Sequence, residues 1–559
     1  MDTITIEEAI EKNGYYLSTI VGDSMMPLLR NRRDVVKIVP AKGKLKKYDL
    51  PLYRRPDGKY VLHRIVKVKK DYYIACGDNR FWREKVPFEW IVGVTETIYR
   101  DEKEIPVNDP KYVAYVKKVC RSFWRRRIQS KIMKICIKNG TLISMNINKP
   151  KIEYNMDILI ENTKIKYIGK NIKTDKNTKI IEAKNQIIMP GLINTHAHVP
   201  MSIFRETLEG YTLQDWLEKN IWPMEAKLTK EDIYYASYLS FIEMIKTGTT
   251  TINDMYFKTD EIIKAALASG VRLQTTRTLM GTTTNKEDLK KINELEKIIQ
   301  NNKEDTITIN LGIHGLYTTE ENYLNECLKF NEKHHLSIHI HFCENEKEVK
   351  DIENIYHKKP IDILKDKFKD QKLILAHCVK LNKEEIRELS KLNPSVAHCP
   401  VSNLKLGCGI ADITEMLNNN INVSLGTDGQ GSGSNLDLFE TMKLTTLLQK
   451  GINENPKLLE SYDVLKMATI NGAKALGLEK QIGSIEIGKQ ADIIIIDIND
   501  IKIKPVNDLL AEIVYNTKSN NVITTIINGN ILMENHKLAN DKEKEITQKC
   551  NQIIAKISN

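Results

Sequence analysis

Residues 187–198 read Ile-Ile-Met-Pro-Gly-Leu-Ile-Asn-Thr-His-Ala-His. An apolar run ends in His196-Ala197-His198. In a strand, residues i and i+2 face the same side, so both imidazoles leave the strand end together, as two metal ligands must. One such pair is weak evidence, but the pattern recurs downstream. His339-Ile340-His341 closes the run 336–341, with Glu344 three residues on. His377 ends 373–377, and Asp428 follows 422–426. Further strand-like runs at 249–253, 272–275, 307–313 and 395–398 alternate with helical segments. This alternation predicts an α/β fold, a (β/α)8 TIM-like barrel over 190–475. In such a barrel chemistry sits at the carboxyl ends of the strands, and all of these polar residues fall there.

Three imidazoles and one carboxylate from such ends suit zinc, with a water completing the site. Zinc lowers the pKa of that water towards neutrality. The site then needs a carboxyl group to shuttle protons, and Glu344 is placed for it. The run 307–313 has no Lys that could bridge two metals, so one zinc per chain is expected.

At 559 residues the chain predicts two or three domains. Hydrophobic content of 41% and charged content of 28% describe a globular protein. No apolar run reaches the 18–20 residues that span a bilayer, and the N-terminus is not a secretory signal. The nine Cys are odd in number and form no CxxC pair, which points to a reducing, cytoplasmic setting. Cys343, Cys378 and Cys399 read as small buried hydrophobes.

Charge divides the chain. Residues 1–132 hold 29 Lys and Arg against 17 Asp and Glu, whereas the rest is within one charge of neutrality. Residues 1–110 predict short strands at 35–39, 59–68, 72–75 and 91–99. Residues 111–132 predict a basic helical linker, with Tyr112, Tyr115, Val116, Val119 and Phe123 on one face. Weak membrane-surface contact through 111–127 is conceivable; no nucleic-acid partner is expected. Met133 opens a new unit. Strand signals in 133–189 and 476–559 predict a composite β-sandwich built from both flanks of the barrel.

The strand-end residues resemble the amidohydrolase superfamily, and within it the 5-methylthioadenosine/S-adenosylhomocysteine deaminases. The resemblance covers nearly all of 133–559. It rests on residues 190–198, Trp222-Pro223-Met224-Glu225, Lys246-Thr247-Gly248-Thr249-Thr250, His398-Cys399-Pro400-Val401-Ser402-Asn403, Gly426-Thr427-Asp428-Gly429 and residues 483–492. It implies a metal held by His196, His198, His341 and Asp428. Glu344 would protonate the ring nitrogen, Asp428 would accept a proton from the attacking water, and His377 would hydrogen-bond to the attacking oxygen. Glu225 would bind the ribose hydroxyls, His314 the nucleoside, and Arg277 the substrate's amino-acid tail. The second arginine of that pattern is absent; residues 286–292 offer Lys290 and Lys291, which are no equivalent for planar carboxylate binding. This departure weighs against S-adenosylhomocysteine more than against methylthioadenosine or adenosine. His339 and His398 are expected to be structural, and His334, His335, His357 and His536 to lie at the surface.

Residues 14–100 resemble the signal-peptidase-like serine peptidases through Gly22-Asp23-Ser24-Met25-Met26-Pro27, Leu62-His63-Arg64-Ile65 and Gly77-Asp78-Asn79. That resemblance implies a Ser24–His63 dyad supported by Asp78. The expected function is hydrolytic deamination of an adenosine-type nucleoside, a small-molecule partner, in a chain that could form a homo-oligomer. The alternatives are another ring hydrolase, such as a guanine or cytosine deaminase or a chlorohydrolase, and a processing peptidase acting through the N-terminal unit.

Overall fold

A computed structural model describes the chain except residues 1–4, 20–23, 26–27, 31–32, 57, 79–82, 102, 118–132, 208–209 and 559. It divides into two compact units, Met1–Met133 and Lys134–Asn559. Among the described residues no helix is long and apolar enough to cross a membrane.

In the first unit a six-stranded antiparallel sheet and a three-stranded one share the chain. The run 59–68, expected as one strand, is two: Tyr60–Leu62 pairs in the larger sheet and Arg64–Val68 in the smaller. His63 sits at the crossover. Residues 110–117 are helical, and Tyr112 and Val116 are buried as their spacing predicts. The rest of the basic segment, Arg125 to Arg127 included, lies outside the described residues.

The second unit is built on parallel strands. They are β1 (Leu192–Ala197), β2 (Thr249–Asp254), β3 (Arg272–Thr275), β4 (Ile307–Ile309 and Leu311–Gly315), β5 (Ile338–Phe342), β6 (Leu373–His377), β7 (Ser395–His398) and β8 (Asn422–Leu425). They pair in sequence order, in two arcs. Backbone bonds from Asn310 to Thr275 and from Leu279 to Gly312 join the arcs across β3 and β4. The ring closes where Asp428 N–H reaches His196 carbonyl (3.0 Å) and Thr195 Oγ1 reaches Leu425 carbonyl (2.8 Å). The strands are buried almost throughout, as expected where helices cover a parallel sheet.

Both flanks contribute strands to one sheet with a core of its own. Eight of its nine strands pair in a row and Lys179–Glu182 pairs off that row with Lys134–Leu142; the flanks meet where Gln186–Pro190 pairs with Lys134–Leu142 on one side and with Ile493–Asp497 on the other. Alternation splits its side chains: Ile188, Ile493 and Ile495 join the sheet's own core, while Ile187, Met189, Ile494 and Ile496 join the barrel's. Not all of 476–559 belongs to this sheet. The helix Glu543–Ile557 puts Ile546, Cys550, Ile553 and Ile557 on one face, at helical spacing, into the barrel's core. Asp492 makes a two-bonded ion pair with Arg272 at the start of β3 (2.8 and 3.1 Å), and both side chains are buried. That gives the Gly483–Asp492 block a structural role. A chain beginning at Met133 is therefore expected to fold alone, with one cooperative thermal transition by circular dichroism; an insoluble product or a transition without cooperativity would refute that.

Candidate metal centre and pocket

The barrel brings together residues separated by more than 200 positions. His198 Nε2 lies 3.2 Å from His341 Nε2 and 3.1 Å from Asp428 Oδ1, and His196 Nε2 lies 3.4 Å from the same oxygen. With metal–ligand bonds of about 2.0–2.2 Å, ligand atoms around one zinc stand roughly 3–3.4 Å apart. The observed separations have that size.

The outer nitrogens explain the aim of the inner ones. His198 Nδ1 donates to Met255 carbonyl (2.6 Å), and His341 Nδ1 to His314 carbonyl (2.5 Å). Their Nε2 atoms then face each other and Asp428 Oδ1, an arrangement that a shared cation makes favourable. His196 Nε2 and His377 Nε2 are buried with no hydrogen-bond partner. His196 Nδ1 lies 2.8 Å from His339 Nε2, and Asn253 Nδ2 lies 3.2 Å from His339 Nδ1. His339, expected only to pack, is thus the partner of a cluster residue. Asp428 Oδ2 accepts from Ser402 (2.5 Å) and Ser432 (2.7 Å), leaving Oδ1 for the histidines. Gly426 is required by the close approach, since a Cβ there would lie 2.9 Å from His196 Cβ and from Cys399 Sγ. The residues fit a metal ion. His196, His341 and His377 form a second, overlapping group with ligand atoms within 4.8 Å of one another.

Burial and charge separate the two carboxyls. Burial pushes Glu344 up to about 8, assisted by the Asp428 charge. Burial opposes ionisation of Asp428 too, yet the bonds from His196 and His198 hold it well below the usual range. Glu344 Oε2 lies 3.7 Å from His377 Nε2, and His377 Nδ1 donates to Asn403 Oδ1 (2.8 Å). Asn403, Ser402, Ser432 and Asn253 escaped the sequence reading. The first two lie inside the quoted His398–Asn403 block, which was the available signal.

A cavity opens on this cluster. Glu225, offered by the helix Trp222–Ala226, lines it, is nearly fully buried and accepts a short hydrogen bond from Tyr256. Burial raises its carboxyl to about 7. His314 also lines the cavity. Its Nδ1 donates to Thr318 Oγ1 (2.9 Å), and burial lowers it to about 3, so it stays neutral. Leu213, Trp216, Leu217, Ile221, Trp222 and Phe257 make an apolar wall. Arg277 is not part of the wall. Its Nε donates to Glu294 (2.7 Å) and its Nη1 to Thr278 carbonyl (3.0 Å). Lys290 pairs with Glu287, and Lys291 with Asp288. His334 pairs with Glu296, and His335 and His357 end helices at positive φ.

In the first unit Ser24 is half-buried in a turn, and the Sδ of its neighbour Met25 accepts Asp78 N–H (3.3 Å). Asp78 was expected to support His63, but its two carboxylate oxygens each accept 2.7 Å bonds from Arg64, fully buried. Tyr53 orients His63 instead. Its hydroxyl donates to Glu84 (2.7 Å) and so accepts from His63 Nδ1 (3.2 Å).

Outer partners of metal-binding histidines are worth about 10–100-fold in metal affinity. His339→Phe is expected to weaken metal binding by about that factor; unchanged affinity in a chelator competition would remove His339 from the centre.

The model of the amidohydrolase family matches residues 187–532. A 5-methylthioadenosine/S-adenosylhomocysteine deaminase of Caldanaerobacter subterraneus is 40% identical over 410 residues, 73% of this chain and 94% of that one. A 5'-deoxyadenosine deaminase of Methanosarcina acetivorans is 39% identical over 419 residues, covering 74% and 96%. The crystal structure of an adenosine deaminase from Xanthomonas campestris with bound zinc aligns with a TM-score of 0.72 at 25% identity, covering 76% of this chain and 99% of that one. With its family pattern over more than half its length and its strand-end residues gathered around one point, the chain belongs to the amidohydrolase family.

Proposed function

We propose that residues 134–559 form a zinc-dependent hydrolase that deaminates the adenine ring of a nucleoside with a small apolar 5' substituent. The observation that carries this reading is the confrontation of His198 Nε2 and His341 Nε2 beside a carboxyl that burial keeps protonated. His196, His198, His341 and Asp428 would hold one zinc ion, which supplies a nucleophile at neutral pH by acidifying water. Glu344 delivers its proton to the ring nitrogen beside the amine-bearing carbon. Asp428, kept ionised by its neighbours, takes up the proton that the attacking water loses. His377, fixed through Asn403, turns Nε2 towards the attacking oxygen. Asp428 passes its proton to the departing amine, which leaves as ammonia; the second proton of the attacking water returns to Glu344, and an inosine analogue remains.

Glu225 and His314 favour a nucleoside over a free base, because a free base has no ribose to engage them. The wall sets the 5' preference. No Lys or Arg is among the residues that line the cavity, and the three nearby cations expected from the sequence all have carboxylate partners. The relatives are named for 5-methylthioadenosine and S-adenosylhomocysteine or for 5'-deoxyadenosine; the methylthio and deoxy nucleosides have an apolar 5' group, and S-adenosylhomocysteine a charged one. Ammonia release is expected from 5'-methylthioadenosine and 5'-deoxyadenosine with kcat/KM at least about tenfold above that for S-adenosylhomocysteine, the discrimination that one unpaired buried charge provides. Equal turnover of S-adenosylhomocysteine would refute the preference, and turnover of free bases alone would refute the nucleoside reading. Glu344→Gln is expected to retain zinc and lose about 10²–10⁴-fold in kcat.

A second reading concerns the first unit. The half-buried Ser24 and His63, whose Nδ1 is held by the Tyr53 hydroxyl, stand where the motif resemblance puts a Ser–His peptidase dyad. A fluorophosphonate probe is expected to label Ser24 and not to slow deamination; labelling that persists in Ser24→Ala would place the nucleophile elsewhere.

A further inference from the structure

Two contacts fix Glu344 that neither the metal ligands nor the nucleoside pocket requires. One is to the side chain. Cys408 Sγ lies 3.7 Å from Glu344 Oε1, with the thiol as donor. Cys408 is buried and does not line the cavity, so it stands behind the carboxyl. The turn Gly407-Cys408-Gly409 carries it there, its glycines at φ 67° and 114°, where residues with a Cβ are strained. Cys408 N–H donates to Asn403 carbonyl (2.8 Å), which ties this turn to the residue that holds His377. The other contact is to the backbone. Glu348, in the first turn of the helix Glu346–Tyr356, reaches back to accept the N–H of Cys343 (3.0 Å) and of Glu344 (2.6 Å). Cys343 has φ 51°, a conformation that needs an outside hold in a residue other than glycine.

We propose that Cys408 and Glu348 are positioning residues for Glu344: the thiol holds Oε1 as the accepting end of the carboxyl, and the Glu348 carboxylate holds the backbone, so that Oε2 carries the proton to the substrate. A neutral carboxyl has one hydroxyl and one carbonyl oxygen, and it is the carbonyl oxygen that accepts. A thiol donor on Oε1 therefore places the hydroxyl on Oε2, the oxygen that faces His377. Burial pushes the Cys408 thiol far up, so it remains a donor throughout. As the Oε2–H bond breaks and an N–H bond forms on the ring, the charge left on the carboxylate is shared with Oε1, where the thiol already donates. The proton given up is replaced by one from the attacking water, so the carboxyl ends as it began.

This inference rests on Glu344 being the acid, and the test separates the two. Zinc-loaded full-length protein and its E344Q, C408A, C408S and E348Q variants are assayed for ammonia release from 5'-methylthioadenosine, with zinc content measured for each. C408A is expected to keep its zinc and its KM and to lose about tenfold in kcat, the worth of one hydrogen bond to a reacting group. C408S, which keeps a donor, restores most of that loss. E348Q, with an amide donor turned on one of the two N–H groups, loses kcat without losing zinc. If C408A does not fold, C408V fills the space without a donor and is expected to show the same loss. Wild-type kcat in C408A or C408V overturns the role of the thiol, and wild-type kcat in E348Q that of the carboxylate. Full activity in E344Q overturns the acid itself, whereas an inactive E344Q beside a fully active C408A overturns the clamp alone.

Discussion

With their Nδ1 protons given to the carbonyls of Met255 and His314, His198 and His341 bring their Nε2 atoms within 3.2 Å of each other. The rest of the barrel top makes that contact tolerable. The accepting carbonyls belong to the ends of β2 and β4, so the ring of strands sets where the imidazoles sit. Asp428 enters through the closing bond between its own N–H and His196 carbonyl. The bond that closes the barrel is therefore also the bond that places the carboxylate. Precision of this kind needs rigid elements whose side chains are locked by further hydrogen bonds, and each cluster residue has such a lock in His339, Asn403, Ser402 or Ser432.

The strands that carry the cluster were legible because each is a short apolar run with a polar residue at its carboxyl end. Runs 272–275, 373–377 and 395–398 coincide with observed strands. The partners were not legible, for a physical reason. A ligand leaves a mark in sequence, since it must end a strand; a hydrogen-bond donor to that ligand comes from any segment the fold brings near. Glu348 and Cys408 lie on a helix and a glycine turn, and nothing in their spacing refers to Glu344. Arg277, whose place in the resemblance implied a substrate contact, pairs with Glu294, 17 residues on, and lies 6.0 Å from the ring of the pocket residue Phe257.

The first unit applies one rule of the barrel in different chemistry. His63 has Nδ1 committed to a neutral oxygen, and Tyr53 is in turn committed to Glu84. As at His198 and His341, fixing one ring nitrogen decides what the other can do. Asp78, nearer in the motif, is spent on Arg64. A fully buried guanidinium demands a complete partner, and the fork of two 2.7 Å bonds gives it one. The motif resemblance implied that Asp78 supports the Ser24–His63 dyad. Desolvation assigns it to the cation that cannot do without it.

The two carboxyls of the barrel top show how one environment makes an acid and a base. Glu344 and Asp428 are both fully buried, so burial alone would raise both. The difference lies in what faces them. Asp428 Oδ1 meets two imidazoles and Oδ2 two hydroxyls, so every oxygen has a partner that favours charge. Glu344 meets a weak thiol donor on Oε1 and a more distant imidazole near Oε2, and it feels the charge of Asp428 besides. Ionising one carboxyl therefore keeps the other neutral, and pairs of titratable groups driven apart in this way reveal which is acid and which is base. A deamination that must give a proton to a ring nitrogen while taking one from water needs both states at once, and a single buried carboxyl could not supply them.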